Sequence, residues 1–322
     1  MGVNLEQLQS FVSVAETGNF TKAADQLYLA QPTLSRQITA LEQSLGAPLF
    51  HRAYGGSTLT AAGQALLPLA RRMLADAESV HRELAELAGL RRGRVRLGAT
   101  PTLCISLVAE VLNAFHAAHP AIELHLSEHG SRRLLDEVAG GELDLALVTT
   151  SDATPPGARY ALSPLLVEEL VVISSAQAPP ITTGDAVGLE QVARLPQIEF
   201  SSSYDLRAAT DAAFREAGLA PEVVLEGAEM DAVLRFVERG LGVAIVPAMV
   251  LVDRPGLRAA RLVGASRAPA GAATAALERT ISLALPADVA PTAAVEVMRR
   301  TIAATATAFA ARSGDTMRIA QR

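Results

Sequence analysis

From Leu66 to Leu87 the apolar residues Leu66, Ala70, Met73, Ala77, Val80, Leu84 and Leu87 recur at alternating steps of four and three. That period belongs to one stripe along one long helix. Thr60 reads as its N-cap, and the stripe runs out near Ala88. A sustained heptad is a seam for a second helix, so Leu66, Met73, Val80, Leu84 and Leu87 are candidate dimerisation residues. A helix lying on its own domain would turn the same residues inward, and that alternative stays open. Pro68 predicts a kink near the helix start. The helix separates a head (1–59, with 60–90 as linker) from a larger module (94–312).

The head reads as three short helices. Leu5, Leu8, Phe11, Val12 and Ala15 share one face, and Gly18-Asn19 stops the run. Asn19 or Thr21 can cap a second helix that turns Ala23, Ala24 and Leu27 inward. A third helix opens at Gln31, where Pro32 in the first turn costs little. Leu34, Ile38, Leu41 and Leu45 line one side of it. The opposite side carries Pro32, Arg36, Thr39 and Gln43, flanked by Thr33 and Ser35. That division suits a helix resting on two others while offering hydrogen-bonding groups to a groove. Residues His51 to Leu59, with Gly55-Gly56, predict a hairpin or wing.

After Arg91-Arg92-Gly93, a linker, strand and helix patterns alternate. The predicted strands are Arg94–Ala99, Ile122–Glu128, Leu143–Val148, Leu170–Ser174, Gln197–Ser201, Val223–Glu226, Val243–Val246 and Thr280–Leu285. The predicted helices are Pro101–His116, Arg132–Ala139, Leu206–Ala217, Ala228–Gly240 and Pro291–Ala311. Such alternation predicts parallel sheets covered by helices. Ala265–Ala276 reads as a loop and residues 313–322 as a tail.

Composition excludes several classes. Half the residues are hydrophobic and 19% charged, which supports a packed core rather than disorder. Net charge is −6, and the first sixty residues carry Lys22, Arg36 and Arg52 against Glu6, Glu16, Asp25 and Glu42, leaving −1. Bulk electrostatic attraction to nucleic acid is therefore absent, and any DNA binding must come from a few placed groups, doubled by oligomerisation. One cysteine, Cys104, excludes a disulfide framework and a thiolate zinc site. His116, His119, His125 and His129 do not form a compact metal motif, so no metal and no cofactor are expected. The start MGVNLEQLQSF lacks a signal-peptide pattern, and no uninterrupted apolar run is long enough to span a bilayer. A cytoplasmic protein without a membrane partner is expected.

The segments LEQLQSFVSVAETGNFTKAADQLYLAQPTLSRQITALEQSLGAPLFHR and LTAAGQALLPLARRML resemble the LysR-type bacterial transcriptional regulators. The likeness continues through HPAIELHLSEHGSRRLLDEVAGGELDLALV and LEGAEMDAVLRFVERGLGVAIVP. It implies an N-terminal all-α winged helix-turn-helix, a long dimerising linker helix and an α/β two-lobed effector domain like a periplasmic binding protein. By analogy lobe I comprises about 94–163 and 270–312, and lobe II about 168–265, with crossings near Pro164-Leu165 and residues 264–278. The implied partners are double-stranded promoter DNA, a small-molecule effector and further copies, a homodimer assembling to a homotetramer. RNA polymerase stays open as a partner.

The resemblance brings the positions of Gln31, Pro32, Ser35 and Arg36 to bases or phosphates. Gln31 can pair with adenine, Pro32 and Thr33 can touch a thymine methyl, and Arg36 can grip guanine or a phosphate. Ser35 and Arg52 read as positioning contacts, and Thr39 completes the candidate face. Solvation and capping are the competing explanations for Gln31 and Ser35. Two departures from the family stand out. Ala30 occupies a usual Ser/Thr cap position, and the wing lacks its usual basic residue.

In an open α/β sheet, ligands sit outside strand carboxyl ends. Thr100, Thr102, Ser131, Phe200, Ser201, Ser202, Ser203 and Met230 are the candidate effector residues, with helix capping as the alternative for each hydroxyl. Arg132, Arg133 and Arg207 could neutralise an acidic effector, although solvated charge is the plainer reading. Cys104, just inside a helix, is either a redox-sensitive thiol or a buried packing residue. No nucleophile–base pair emerges, so no enzyme is expected. An architectural DNA binder that ignores effectors is the main alternative function.

Overall fold

The structure is a computed structural model that describes residues 2–53, 56–87, 93–150, 159–201, 204–252, 254–263 and 277–320. The chain divides into two compact units: residues 1–93 with 136–144, and residues 94–135 with 145–322.

The first unit opens with helices α1 (Leu5–Thr17), α2 (Phe20–Gln26) and α3 (Gln31–Leu45). Each boundary has a local chemical cause. Asn4 and Gln7 form a reciprocal capping box on α1, and Gly18 ends it in the left-handed conformation (φ +63°). The Asn19 side chain accepts from the N–H groups of Thr21 and Lys22. Asn19 is thus the cap of α2, and Thr21 is not. Ala30 caps α3 with no side-chain bond.

The head core joins Leu8, Phe11, Ala23, Ala24, Leu34, Ile38, Leu41, Leu49 and Phe50. Phe50 brings its ring 5.4 Å from Phe11 and 5.6 Å from Phe20. Leu45 departs from the predicted stripe: it is exposed on the last turn, beyond the core that buries the other three. Strands β1 (Phe50–Ala53) and β2 (Gly56–Leu59) pair antiparallel from Phe50↔Leu59 to Ala53↔Gly56, which supplies the expected hairpin.

Helix α4 (Ala61–Leu87) is capped by Thr60, whose hydroxyl accepts from the Gly63 N–H at 3.0 Å and donates to the Pro48 carbonyl at 2.7 Å. Pro68 lies inside the helix without ending it. The heptad stripe divides in two. Ala70 is fully buried, and Leu66 packs, partly buried, against the head core. Met73 and Val80 are 47% and 56% exposed. The side chains of Leu84 and Leu87 lie outside the described residues.

Gly63 sits where a Cβ would come 2.3 Å from the Leu49 carbonyl and 2.8 Å from Leu59 Cδ2. Alanine would gain roughly 1 kcal/mol of helix propensity. The clash with backbone costs about 1–3 kcal/mol and wins. Gly63→Ala is therefore expected to lower the thermal midpoint. An unchanged or raised midpoint would show that the helix can slide away from Leu49.

The second unit is built on a nine-stranded sheet whose main path runs β4-β3-β5-β12-β6-β11-β7. Strand β3 (Arg94–Ala99) leads into α5 (Pro101–Leu103), a π turn (Cys104–Val108) and α6 (Ala109–Ala118). Then follow β4 (Glu123–Glu128), α7 (Ser131–Ala139), β5 (Leu145–Thr150) and the sixteen-residue β6 (Tyr160–Ser175). The chain continues through β7 (Ala186–Gly188), α8 (Leu189–Val192), β8 (Pro196–Phe200), α9 (Asp205–Glu216), β9 (Glu222–Ala228), α10 (Met230–Glu238) and β10 (Ala244–Pro247). It closes with β11 (Leu257–Val263), β12 (Glu278–Pro286), α11 (Ala293–Arg312) and β13 (Met317–Ile319).

The expectation of wholly parallel sheets needs correction. β3 pairs parallel with β4 and β5, and β8 with β9. β12 runs antiparallel to β5 and β6, and β10 and β11 run antiparallel to β6. Strands buried on both faces read as the same apolar run whichever way their neighbours point, so periodicity cannot reveal direction. β6 is also longer than its apolar half. Residues 160–169 pair with β12, and Pro164 falls at a register shift that skips Leu165. A proline inside a run argues against a strand, but a bulge tolerates its missing N–H.

The expected tail is not free. β13 pairs with β6 from Met317↔Glu168 to Ile319↔Leu166, and Met317 is buried. Its three residues are too short for a periodic signal. The predicted loop at 265–276 and the linker Arg91-Arg92 lie outside the described residues. The run Pro101–Ala118 has the length and mean hydropathy, 1.3, of a membrane span. Its Leu103, Leu107, Val111 and Phe115 are instead fully buried in the domain core.

Candidate functional site

Two surfaces carry the candidate residues. On α3, Leu34, Ile38 and Leu41 are fully buried while Gln31, Pro32, Arg36 and Thr39 are exposed and Thr33 and Ser35 half-buried. The helix is pinned beneath by Phe11 and Phe50 and left clean above. Arg36 Nε donates to the Pro32 carbonyl at 3.3 Å, one turn back, and Thr39 donates to the Ser35 carbonyl at 2.9 Å. Neither bond uses the far end of the Arg36 fork. Arg52 has its backbone in β1 opposite Ser57, and its side chain lies outside the described residues. Tyr28 was not singled out from sequence. It is 97% exposed at the turn into α3 and holds a left-handed backbone (φ +54°).

The second surface is a cavity of about 230 Å³. One wall is Thr100, Pro101 and Thr102 after β3, Glu128, His129 and Gly130 after β4, Thr149 on β5 and Arg279 on β12. The other wall is Tyr204, Asp205 and Leu206 at the start of α9, with Glu229 before α10. The predicted hydroxyls Thr100 and Thr102 are there, buried, with 3.5 Å between their oxygens.

The other predicted residues that are described stand around the cavity without lining it. Ser131 is tied up: its N–H donates to Asp205 Oδ2 at 2.9 Å, and its hydroxyl accepts from the Thr149 N–H at 3.0 Å. The phenyl ring of Phe200 stacks on Tyr204 at 5.3 Å and so backs the wall. The Ser201 carbonyl accepts from the Tyr204 N–H. Met230 is buried, and its N–H donates to the Tyr204 hydroxyl at 3.4 Å. Ser202 and Ser203 lie outside the described residues. Among the described residues the wall is formed at the start of the next helix, by Tyr204, Asp205 and Leu206.

Tyr204 is the organising side chain of that wall. Its hydroxyl donates to Glu229, and burial together with this bond holds its phenol well above the ordinary range. Across the cavity, Arg279 Nε donates to Glu168 Oε1 at 2.8 Å, and Glu168 Oε2 accepts from the Met249 N–H at 3.1 Å. Glu168 is fully buried, and the Arg279 side chain is nearly so. Arg207, an expected neutraliser, instead pairs with Glu199, Asp211 and Glu226. Arg132 and Arg133 are exposed and do not line the cavity. Burial, then the Glu128 carboxylate, pushes the Cys104 thiol up to about 12, so it is fully protonated at neutral pH. Of its two open roles, this favours packing.

The model described as "Bacterial regulatory helix-turn-helix protein, lysR family" matches residues 5–64, and "LysR substrate binding domain" matches residues 88–307. The chain belongs to the LysR family of transcriptional regulators. As a LysR-type regulator it joins a DNA-binding helix-turn-helix to a two-lobed effector-binding domain. A "Probable nitrogen assimilation transcriptional activator" of Synechococcus elongatus is 35% identical over 251 residues, covering 78% of this chain and 81% of that one. The "Uncharacterized HTH-type transcriptional regulator YybE" of Bacillus subtilis is 31% identical over 249 residues, covering 77% and 84%. Among solved structures, full-length CbnR complexed with its target DNA has a TM-score of 0.52 and 25% identity, covering 94% of this chain and 99% of that one. A full-length OxyR variant from Pseudomonas aeruginosa shares the fold with a TM-score of 0.68 at 24% identity, covering 94% and 98%.

Proposed function

We propose that this LysR-type regulator reads promoter DNA sequence-specifically through the exposed face of α3 and answers to a small molecule in the 230 Å³ cavity between its lobes. One observation carries the DNA reading. Gln31, Pro32, Arg36 and Thr39 stand exposed on a helix whose opposite side is fully buried. Gln31 suits adenine and Arg36 suits guanine, with Thr33 and Ser35 beside them. The target of CbnR in its solved complex is DNA, in keeping with this role.

The working form is an oligomer. Two chains pair through the exposed Met73 and Val80 of α4, and dimers assemble into tetramers. Its place of work is the cytoplasm, where promoter DNA is, and its role is regulatory rather than catalytic.

Arg36→Ala tests the assignment. It is expected to cost about 1–3 kcal/mol of binding to the chain's own upstream region, roughly tenfold to a hundredfold at fixed salt. Fluorescence anisotropy on the full chain reads this, with random DNA as control. Equal loss on both DNAs would make Arg36 a phosphate contact; no loss would remove it from the interface.

A further inference from the structure

The cavity walls differ in chemistry from one side to the other. On the buried side, Thr100 and Thr102 are 4% and 3% exposed, and among the described residues their hydroxyls have only each other, at the outer limit of a hydrogen bond. Beside them, Thr149 Oγ1 is buried without a partner. Arg279 has a side chain 9% exposed. Its Nη2 lies 2.7 Å from the Glu168 oxygen that also accepts from Nε, within their ion pair. Among the described residues the buried side therefore presents the Thr149 hydroxyl without a partner, the weakly bonded Thr100 and Thr102 hydroxyls, and the Arg279 guanidinium beside Glu168. Buried polar groups are ordinarily satisfied, and these face a cavity whose occupant could bond them.

On the exposed side stand Glu128, Asp205 and Glu229. Asp205 accepts from Ser131 N–H and Glu229 from the Tyr204 hydroxyl. Among the described residues none of the three carboxylates pairs with an arginine or lysine. The volume falls below the roughly 300–1,000 Å³ of pockets for drug-sized ligands.

We propose that the cavity takes a small zwitterion of amino-acid size, its carboxylate against Thr100, Thr102, Thr149 and Arg279 and its ammonium against Glu128 and Glu229. The inference rests on the cavity being the effector site. Carboxylates, not Arg132, Arg133 or Arg207, face the ligand's ammonium end. Each half supplies what the other lacks. A dicarboxylate would meet unpaired carboxylates at the mouth, and a simple amine would bring the buried hydroxyls no acceptor.

The test is isothermal titration of the full chain with a panel of L-amino acids, each beside its decarboxylated amine and its 2-oxo acid. At least one amino acid should bind roughly tenfold or more tightly than both analogues. Glu229→Gln, which keeps an acceptor for Tyr204, should erase the preference over the 2-oxo acid. Thr149→Val should reduce the preference over the amine. An oxo acid or amine bound as tightly as its parent overturns the proposal. So does a panel in which no amino acid binds, or preferences that survive both substitutions. Promoter affinity measured in parallel separates the two readings. Amino acids that bind as expected yet leave promoter affinity unchanged uphold the ligand class and refute the effector role. Oxo acids that bind and alter promoter affinity do the reverse.

Discussion

Arg279→Met is expected to destabilise the effector domain by about 3–5 kcal/mol, because it leaves the fully buried Glu168 carboxylate without its cation. In a unit of this size that corresponds to a fall in melting temperature of roughly 10 °C. The cost comes from the stranded charge rather than from a strong bond lost. Methionine at both positions should therefore restore most of the stability, since an apolar pair of similar volume removes the buried charge entirely. Recovery should stop short of complete, because the Met249 N–H loses its acceptor, a deficit of about 1–3 kcal/mol. A double-mutant cycle by thermal denaturation measures the coupling. If the single variant melts with the parent, water or another donor already screens Glu168.

Met73→Glu with Val80→Glu should be the most damaging change for DNA binding. Both residues are exposed on α4, whereas Ala70 and Leu66 do the packing on the head. Two carboxylates there spare the folded head and place like charges along the seam. Sedimentation should show dissociation to monomers. Promoter affinity should fall a hundredfold or more, since linking two binding sites multiplies affinity by roughly 10²–10⁴. The loss should exceed that of Arg36→Ala. The reason lies in the head's charge of −1 and its uncapped recognition helix, which leave one head little grip alone. A monomer that binds with parental affinity would refute this account, as would a dimer that persists.

Much of the head was legible because its signals are local. Asn19, Gly18 and Pro32 each act within four residues, and the stripe on α3 needs only a period of 3.6. The heptad was legible as a stripe but not as two functions. Whether Leu66 faces its own head depends on how α1 and α4 pack, which no period encodes. The cavity was half legible. Thr100 and Thr102 followed from the rule that ligands sit past strand ends. On the opposite wall the Phe200 ring supports Tyr204 rather than lining the cavity, and Tyr204, Asp205 and Leu206 at the start of α9 were not read from sequence, because which side chains meet across the cavity is a matter of tertiary packing. Arg279 and Glu168 are 111 residues apart, and their pairing exists only once β12 lies beside β6.

Strand β6 gives the effector domain an uncommon mechanical character. Its first ten residues belong to the ladder with β12, and its last five to the ladder with β11. Most two-lobed proteins joined by loops can open like a book on a cloth hinge. Here one spine of extended backbone is bonded into both covers. Any opening must twist that spine or shear its ladders near Leu170, so motion is concentrated where β12 gives way to β10 and β11. A ligand in the cavity would act on the torsion of one strand, and the lobes would gain or lose cooperativity together.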